Sequence, residues 1–435
     1  MSLNLNSKLK PDSAFGGIYA GKRVLVTGHT GFKGSWLCEW LLSLGADVTG
    51  FALPPATQPS LFDQLGLASR LRHVVGDVRD LSAVRRVLEE TKPDFVFHLA
   101  AQPLVRLSYD QPVETYATNI MGTVNILEAL RLYQAELKSQ VEVESKGTNP
   151  GSELKSATSS CGRVIAAVMI TTDKCYENKE WVHSYREEDP MGGYDPYSSS
   201  KGAAELVIAA YRRSYFTPPA DHPPLNDSTP QVRVASARAG NVLGGGDWAM
   251  DRIVPDAIRA LQRGRPIPVR NKVATRPWQH VLEPLSGYLL LASELAKTVQ
   301  VSNSGSSPAN AGDLNGELER LKALRGAFNF GPALTSNRTV VDLVQEILKH
   351  WPGRWEDKSD PKGVHEAQLL NLATDKAYHF LGWRPSWNFE QTLEKTVTWY
   401  RQVEAHPASV DTVTLQHIAD YQKAARELGL PWAAS

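Results

Sequence analysis

Tyr197-Ser198-Ser199-Ser200-Lys201 places a phenol and an amine four residues apart, so on a helix both project from one face. A phenol of ordinary pKa, about 10, becomes a usable base at neutral pH when a neighbouring ammonium stabilises the phenolate. Lys201 can do this and can also hydrogen-bond the ribose of a nicotinamide nucleotide. The bland alternative is an exposed Tyr/Lys pair on an ordinary helix, because the spacing recurs by chance. Chain order argues against it. The pair follows a glycine-rich turn, a strand end His98-Leu99-Ala100-Ala101, Asn119 in a helical stretch, and a strand ending Thr171-Thr172-Asp173-Lys174. Ligands of open α/β sheets bind at C-terminal strand ends, where these residues stand.

The glycine turn carries the second chemical feature. RVLVT runs into Gly28-His29-Thr30-Gly31-Phe32-Lys33-Gly34 and then SWLCEWLLSLG, a G-x-x-G-x-x-G pattern between strand and helix. Glycine permits positive φ and close backbone approach, and the N–H groups and dipole of a helix N-terminus suit a pyrophosphate; this predicts a dinucleotide site rather than a merely structural turn. The acid that grips an adenosine ribose belongs about 20 residues further on, yet the chain there reads GFALPP. Lys33 or an arginine could instead meet a 2′-phosphate, so the residues alone leave NAD and NADP open. Asp77, in Gly76-Asp77-Val78, could accept from an adenine or simply cap a turn.

Such residues need a sheet to hold them. RVLVTG, FVFHLA, RVIAAVMITT and VRVASARAGN read as buried parallel strands, and they alternate with amphipathic stretches at 36–44, 82–90, 113–132 and 197–215. The expectation is α/β: a Rossmann-type doubly wound parallel sheet over 21–240 and a smaller C-terminal α/β substrate-binding domain over 241–435, with some chain crossing back to the sheet. In the second half, helices at 251–263, 340–351 and 389–404 are separated by Pro/Gly-rich connections. Three polar stretches, 134–162, 217–230 and 299–317, lack apolar periodicity and read as surface-loop insertions.

Composition narrows the function classes. The 435 residues carry 47 Lys+Arg and 47 Asp+Glu, a formal net charge of +0, which excludes an electrostatic nucleic-acid binder. Cys38, Cys161 and Cys175 are odd in number without C-x-x-C spacing, so neither a disulfide framework nor a zinc site is expected, no metal is implied, and a reducing cytoplasm fits. Cys175 and the Trp-rich tail read as core. The start of the chain has no apolar leader, and no run of about 18 apolar residues occurs, so no membrane partner is expected.

GHTGFKGSWL, HLAAQPLVRLSY, TTDKCYENKEW, YDPYSSSKGAAE, RAGNVLGGGDW, RPWQHVLEPLSGYL and FNFGP resemble, over nearly all of 21–404, the extended short-chain dehydrogenases/reductases, the NAD-dependent epimerases and dehydratases. Within them the chain is most similar to the branch acting on CDP-glucose. The resemblance implies NAD, held by Gly28, Thr30, Gly31, Phe32, Lys33, Gly34, Asp77, Val78, Leu99, Ala100, Ala101, Asn119, Thr171, Tyr197 and Lys201. It implies oxidation of the sugar at C4 with Tyr197 as base, loss of water across C5/C6, and hydride return to C6, giving CDP-4-keto-6-deoxyglucose.

Thr172-Asp173-Lys174 stands where related dehydratases resemble Thr-Asp-Glu. By that likeness Asp173 is the general acid for the departing hydroxyl, Thr172 orients the 4-hydroxyl, and Lys174 is the C5 base only if burial or a nearby cation lowers its pKa from about 10.4. Asp173 by itself could be a capping carboxylate. For the nucleotide sugar, Asn241 and Arg276 are implied phosphate ligands, with Gln102 and His280 as further partners; Arg252 is either a ligand or a surface charge. Trp248 either covers the nucleotide or packs under the C-terminal domain. A homodimer through the stretches 113–132 and 197–215 is also implied. The competing readings are an epimerase or dehydratase acting on a dTDP-, UDP- or GDP-hexose, and a cofactor-binding scaffold without chemistry.

Overall fold

Seven short strands, six of them largely buried, assemble in the computed structural model into one parallel sheet. They are β1 (Arg23–Thr27), β2 (Asp47–Ala52), β3 (Arg72–Val75), β4 (Phe95–His98), β5 (Val164–Ile170), β6 (Gln231–Ala239) and the strand Ala327–Phe330. Their spatial order is Ala327–Phe330, β6, β5, β4, β1, β2, β3, and every neighbouring pair is parallel. The structure describes residues 13–147, 162–217, 229–297, 316, 319–359 and 369–434. The strand order reverses beside β1, so a crevice opens above the ends of β1 and β4, the place where such sheets bind ligands.

The helices expected at 36–44 and 82–90 are Phe32–Ser43 and Leu81–Thr91, the second capped by Asp80, which accepts from the N–H groups of Ser82 and Ala83. The stretch at 113–132 is Pro112–Tyr116, a π-helical turn Ala117–Met121, and a long helix Gly122–Gly147. That last helix corrects the insertion expected at 134–162. Residues 134–147 continue the helix, with Leu137 buried and Glu136 paired to Arg85 on the solvated side. Glu, Lys and Gln are good helix formers, so polarity there marks an exposed helical face rather than a loop. Residues 148–161, 218–228, 299–315 and 317 of the three expected insertions lie outside the described residues.

The second half of the chain returns to the sheet. Ala327–Phe330 extends it beside β6, and the mostly apolar helix Leu282–Ala296 packs on β5 and β6, buried on nearly every side. Phe15, ahead of the expected bounds, and the C-terminal tail within them also join the core. Phe15 stacks on Trp432 at 4.9 Å, and Val410–Glu427 packs on Phe32–Ser43. Trp383, Trp387 and Trp399 are buried, as are Cys38 and Cys175. Among the described residues no helix is long and apolar enough to cross a membrane.

Glu283 clamps the C-terminal segments: its carboxyl accepts from the N–H groups of Ser386 at 3.0 Å and Trp387 at 2.7 Å and from the Tyr421 hydroxyl at 2.7 Å. Burial lifts its pKa from 4.5 to about 7 against those donors. A folded-state pKa above the unfolded one contributes stability that is complete below about pH 4.5 and is lost as pH rises through about 7. Urea unfolding followed across that window should therefore show a decline that Glu283→Gln flattens. An equal decline in both proteins would mean that Glu283 does not titrate this way.

Candidate active site

The glycine turn is shaped by backbone crowding. Gly28 has φ +74°, and a Cβ there would lie 2.6 Å from the Ala100 nitrogen; one on Gly34 would lie 2.2 Å from the Gly28 carbonyl oxygen. Gly31 differs: it N-caps Phe32–Ser43 with φ −80° and faces open space apart from the Gly28 oxygen at 3.4 Å. The first-turn N–H groups beyond it lack intrahelical partners, and that open cradle fits a pyrophosphate. Thr30 donates to the Leu53 carbonyl at 2.9 Å and ties the turn to the end of β2. Leu99 and Ala100 bond back to Thr27, and Asn119 holds the Gln102 backbone at one end and the Ser200 hydroxyl, at 2.8 Å, at the other. The π turn thus locks the end of β4 to the catalytic helix.

At the adenosine side no carboxylate ends β2. His29 lies against Gly50 and bonds His73 at 2.7 Å, and burial together with His73 pushes its pKa down to about 3. Asp77 is bound by Arg79, whose hydrogen bonds hold the carboxyl below its ordinary range, so the expected adenine contact meets a carboxylate already engaged. Val78 is buried, with its carbonyl taken by Asn125. Lys33 is not at this end: its Nζ lies 3.4 Å from the Tyr288 hydroxyl, on the catalytic side, which removes it as a partner for a 2′-phosphate.

Tyr197 and Lys201 rise from Pro196–Tyr211, a helix capped by Asp195. Both are buried, and Ser108 anchors the Tyr197 N–H at 3.1 Å. Burial raises the phenol to about 12, opposed by its hydrogen bond with Thr172, and burial lowers Lys201 to about 8, opposed by Glu205. Thr172 in turn donates to Asp173 at 2.8 Å, which sets phenol, hydroxyl and carboxyl side by side. Asp173 is 1% exposed. Lys174 Nζ lies 3.4 Å from the Asn241 side-chain oxygen and 4.0 Å from Asp173, so the amine is joined to the acid.

Beneath these groups lies a network that the sequence reading missed. Glu205 follows Lys201 by one helical turn, pairs with Arg238 at 2.9 Å, and accepts from the hydroxyls of Thr171 and of Ser236. Burial raises the Glu205 carboxyl, but Arg238 and the hydroxyls outweigh that and hold it below its ordinary range. Arg238 also donates to the Tyr176 hydroxyl at 2.7 Å. The pattern Y-x-x-x-K-x-x-x-E was a usable signal, since i, i+4 and i+8 share a helix face. Tyr288 gave none: it sits in an apolar helix.

Several expected ligands are taken by the protein itself. The Thr171 hydroxyl belongs to Glu205, which leaves only its backbone for a cofactor. Gln102 spends its side-chain amide on Thr115 and Leu104 and braces its own loop. His280, which ends the short strand Gln279–His280, is fully buried and packed edge-on against Trp36 and Trp387, with the buried His417 nearby, so it is core and not a substrate ligand. Trp248 packs edge-on against Tyr400 and donates to Gln64, which is the packed alternative. Phe32 lies under residues Gly244 and Val281 of the C-terminal half. Arg252 faces Tyr197 and Lys33 while paired with Asp247 at 2.9 Å, and Arg276 is half-buried in the short strand Thr275–Pro277.

Comparison with known proteins agrees with this architecture. Residues 24–303 match the model of the "NAD dependent epimerase/dehydratase family". A CDP-glucose 4,6-dehydratase of Salmonella typhimurium is 44% identical over 387 residues, covering 88% of this chain and 91% of that protein. A dTDP-glucose 4,6-dehydratase of Haemophilus influenzae is 25% identical over 383 residues, 87% of this chain and 97% of that one. In fold, the chain resembles a dTDP-glucose 4,6-dehydratase of Bacillus anthracis solved in complex with NAD, with TM-score 0.61 and 20% identity over 88% of this chain and 97% of that one.

Removing one partner of a buried ion pair strands the other charge, a cost of about 3–5 kcal/mol. Glu205→Gln should lose stability on that scale in denaturant unfolding and lower the Lys201 pKa further. A loss below about 1 kcal/mol would show that Arg238 finds water or another partner instead.

Proposed function

This chain belongs to the NAD-dependent epimerase/dehydratase family, and we propose that it dehydrates CDP-glucose to CDP-4-keto-6-deoxyglucose with NAD as its resident cofactor. The observation that carries this reading is the buried Asp173 carboxyl, which accepts from Thr172 at 2.8 Å and acts on the Tyr197 phenol from the same cleft, so that an acid and a base face one site. Epimerisation at C4 needs the base and not the acid. The similarity to the Salmonella typhimurium enzyme supports CDP-glucose over other nucleotide sugars, and the Gly28/Gly34 cradle supports the dinucleotide.

When bound, NAD supplies the acceptor and later the donor of the hydride. Everything else falls to side chains. Tyr197 removes the proton of the sugar 4-hydroxyl, with Arg252 opposing the rise that burial gives the phenol, Thr172 orienting the hydroxyl, and Lys201 one helical turn on along the same face. The new ketone acidifies C5–H. Asp173 and Lys174 form a proton-handling pair: a proton leaves C5, and a proton reaches the 6-hydroxyl, which departs as water. The contact with Asp173 supports a role for Lys174 in holding that carboxyl. Arg252, Arg276 and Asn241, around the crevice, would meet the phosphates and sugar. Among the described residues the two recorded cysteines, Cys38 and Cys175, are free thiols, which suits a reducing cytoplasm.

We infer a homodimer as well. Val113, Met121, Leu206 and Tyr215 are 72%, 51%, 60% and 50% exposed on the adjoining helical segments of 112–147 and 196–216. Exposed large apolar side chains on two adjoining helical segments suit an association surface. Leu206→Arg should shift the sedimentation velocity to that of a monomer; a wild-type monomer would sink the inference.

The decisive assay offers NAD⁺ with CDP-, dTDP-, UDP- and GDP-hexoses and follows product mass. The expected result is loss of one water from CDP-glucose, cut by about 10²–10⁴-fold in Tyr197→Phe and in Asp173→Asn. An unchanged mass with an inverted hydroxyl would make the protein an epimerase.

A further inference from the structure

The two halves of the reaction draw on different pieces of the chain. Tyr197 and Lys201, which serve oxidation, stand on Pro196–Tyr211, and that helix is fixed near its start by the Asp195 cap, by Ser108 and by Asn119. Asp173 and Lys174, which serve the loss of water, stand on a single 3₁₀ turn, Asp173–Cys175. So short a turn has poor hydrogen-bond geometry of its own, and its neighbours must hold it. Upstream it hangs from β5, where the Thr171 N–H donates to the Ala237 carbonyl at 2.9 Å. Downstream it ends on Tyr176, whose N–H closes on the Asp173 carbonyl at 3.5 Å.

Tyr176 is 1% exposed, and its hydroxyl is used in both senses: it donates to the Asn329 side-chain oxygen at 2.8 Å and accepts from Arg238 at 2.7 Å. Its ring stacks on Tyr185 at 5.1 Å and lies 4.9 Å from the Arg238 guanidinium carbon. Asn329, on the sheet-edge strand Ala327–Phe330, is fully buried and bound in turn. Its N–H donates to the Glu187 carboxyl at 2.9 Å and its side-chain amide to the Tyr185 carbonyl at 2.9 Å. One hydroxyl therefore ties the acid turn both to β6 and to a strand from the C-terminal half. Tyr176 touches neither Tyr197 nor Lys201 in any of these bonds.

We propose that Tyr176 is the positioning residue of the elimination step, a role that rests on the dehydratase reading: held by Asn329 and Arg238, it keeps the Asp173–Cys175 turn where Asp173 can serve the departing 6-hydroxyl. In that step the C5–H bond breaks, its electron pair forms the C5–C6 double bond, and the C6–O bond breaks as the oxygen takes a proton and leaves as water. Displacing a reacting group by about 1 Å can cost about 10²-fold. Oxidation is held by separate contacts, so loosening Tyr176 falls unevenly on the two halves. Tyr176→Phe removes only the hydroxyl and leaves the ring stack and the Glu205–Arg238 pair to form.

The whole protein loaded with NAD and mixed rapidly with CDP-glucose separates the two halves, because reduced nicotinamide absorbs as oxidation proceeds and fades only after water has left. Tyr176→Phe should leave the rise unchanged, slow the fade by about 10–10²-fold, and keep KM within about twofold. Amide hydrogen exchange without substrate is the second readout: exchange should quicken across residues 172–177 and stay unchanged across 196–205. Asn329→Ala takes away the acceptor of the same hydroxyl and should reproduce both effects, which keeps the test open if Tyr176→Phe fails to fold. The double variant should be no slower than the slower single one, since a shared anchor is lost only once. Equal slowing of rise and fade overturns the proposal, as does an unchanged fade in a folded variant. A wild-type protein that inverts a hydroxyl without losing water would instead overturn the dehydratase reading, and this role with it.

Discussion

An ammonium held in dry protein needs a counter-charge, and most of the catalytic half of this molecule is organised by that requirement. Lys201 must stay close to Tyr197 and away from water, so Glu205 supplies a carboxylate one helical turn further on. A carboxylate so placed is itself buried. Arg238 on β6, Thr171 at the end of β5 and Ser236 on β6 satisfy it, and Arg238 is completed by Tyr176. The links join the helix Pro196–Tyr211 to both β5 and β6, so one polar network helps to fix the register of those strands and the seating of the helix on the sheet. Such networks specify geometry strongly when every member is satisfied, and they are correspondingly intolerant of single losses.

The cofactor side obeys a different constraint, that of closeness. Gly28 and Gly34 are needed because backbone meets backbone there, while Gly31 leaves the helix N-terminus open. The two constraints meet at Lys33, which starts from the glycine turn and ends among the catalytic charges. Asn119 makes the same connection by hydrogen bonds, through a π turn that brings an amide inward between the end of β4 and Ser200. Binding and chemistry therefore share one rigid frame, as preorganised sites require.

The C-terminal half serves that frame more than it stands apart from it. Its buried helix Leu282–Ala296 lies on β5 and β6 and offers Tyr288 to the cleft, its strand Ala327–Phe330 closes the sheet edge, and its tail packs on Phe15 and Trp40. Arg252 and Asn241 then enter the site from loops braced by this packing.

The strands, the glycine turn and the Tyr197/Lys201 pair were legible in the amino-acid sequence because each rests on a local rule: apolar runs, a strand–glycine–helix junction, and helical spacing. The family likeness rested on motifs of the same short range. What the sequence could not determine is which polar side chains face the cleft and which are spent on the protein. Gln102, Thr171, His280 and Trp248 all stand at or beyond strand ends or turns, yet hydrogen bonds and ring contacts from residues remote in the chain remove them from the site. Glu205 went the other way, drawn in by partners on other elements, and Lys33, expected at the phosphate turn, reaches Tyr288 instead. Local spacing decides which way a residue can point along its own helix or strand; only tertiary packing decides what it meets there, because burial and charge depend on neighbours brought together by the fold.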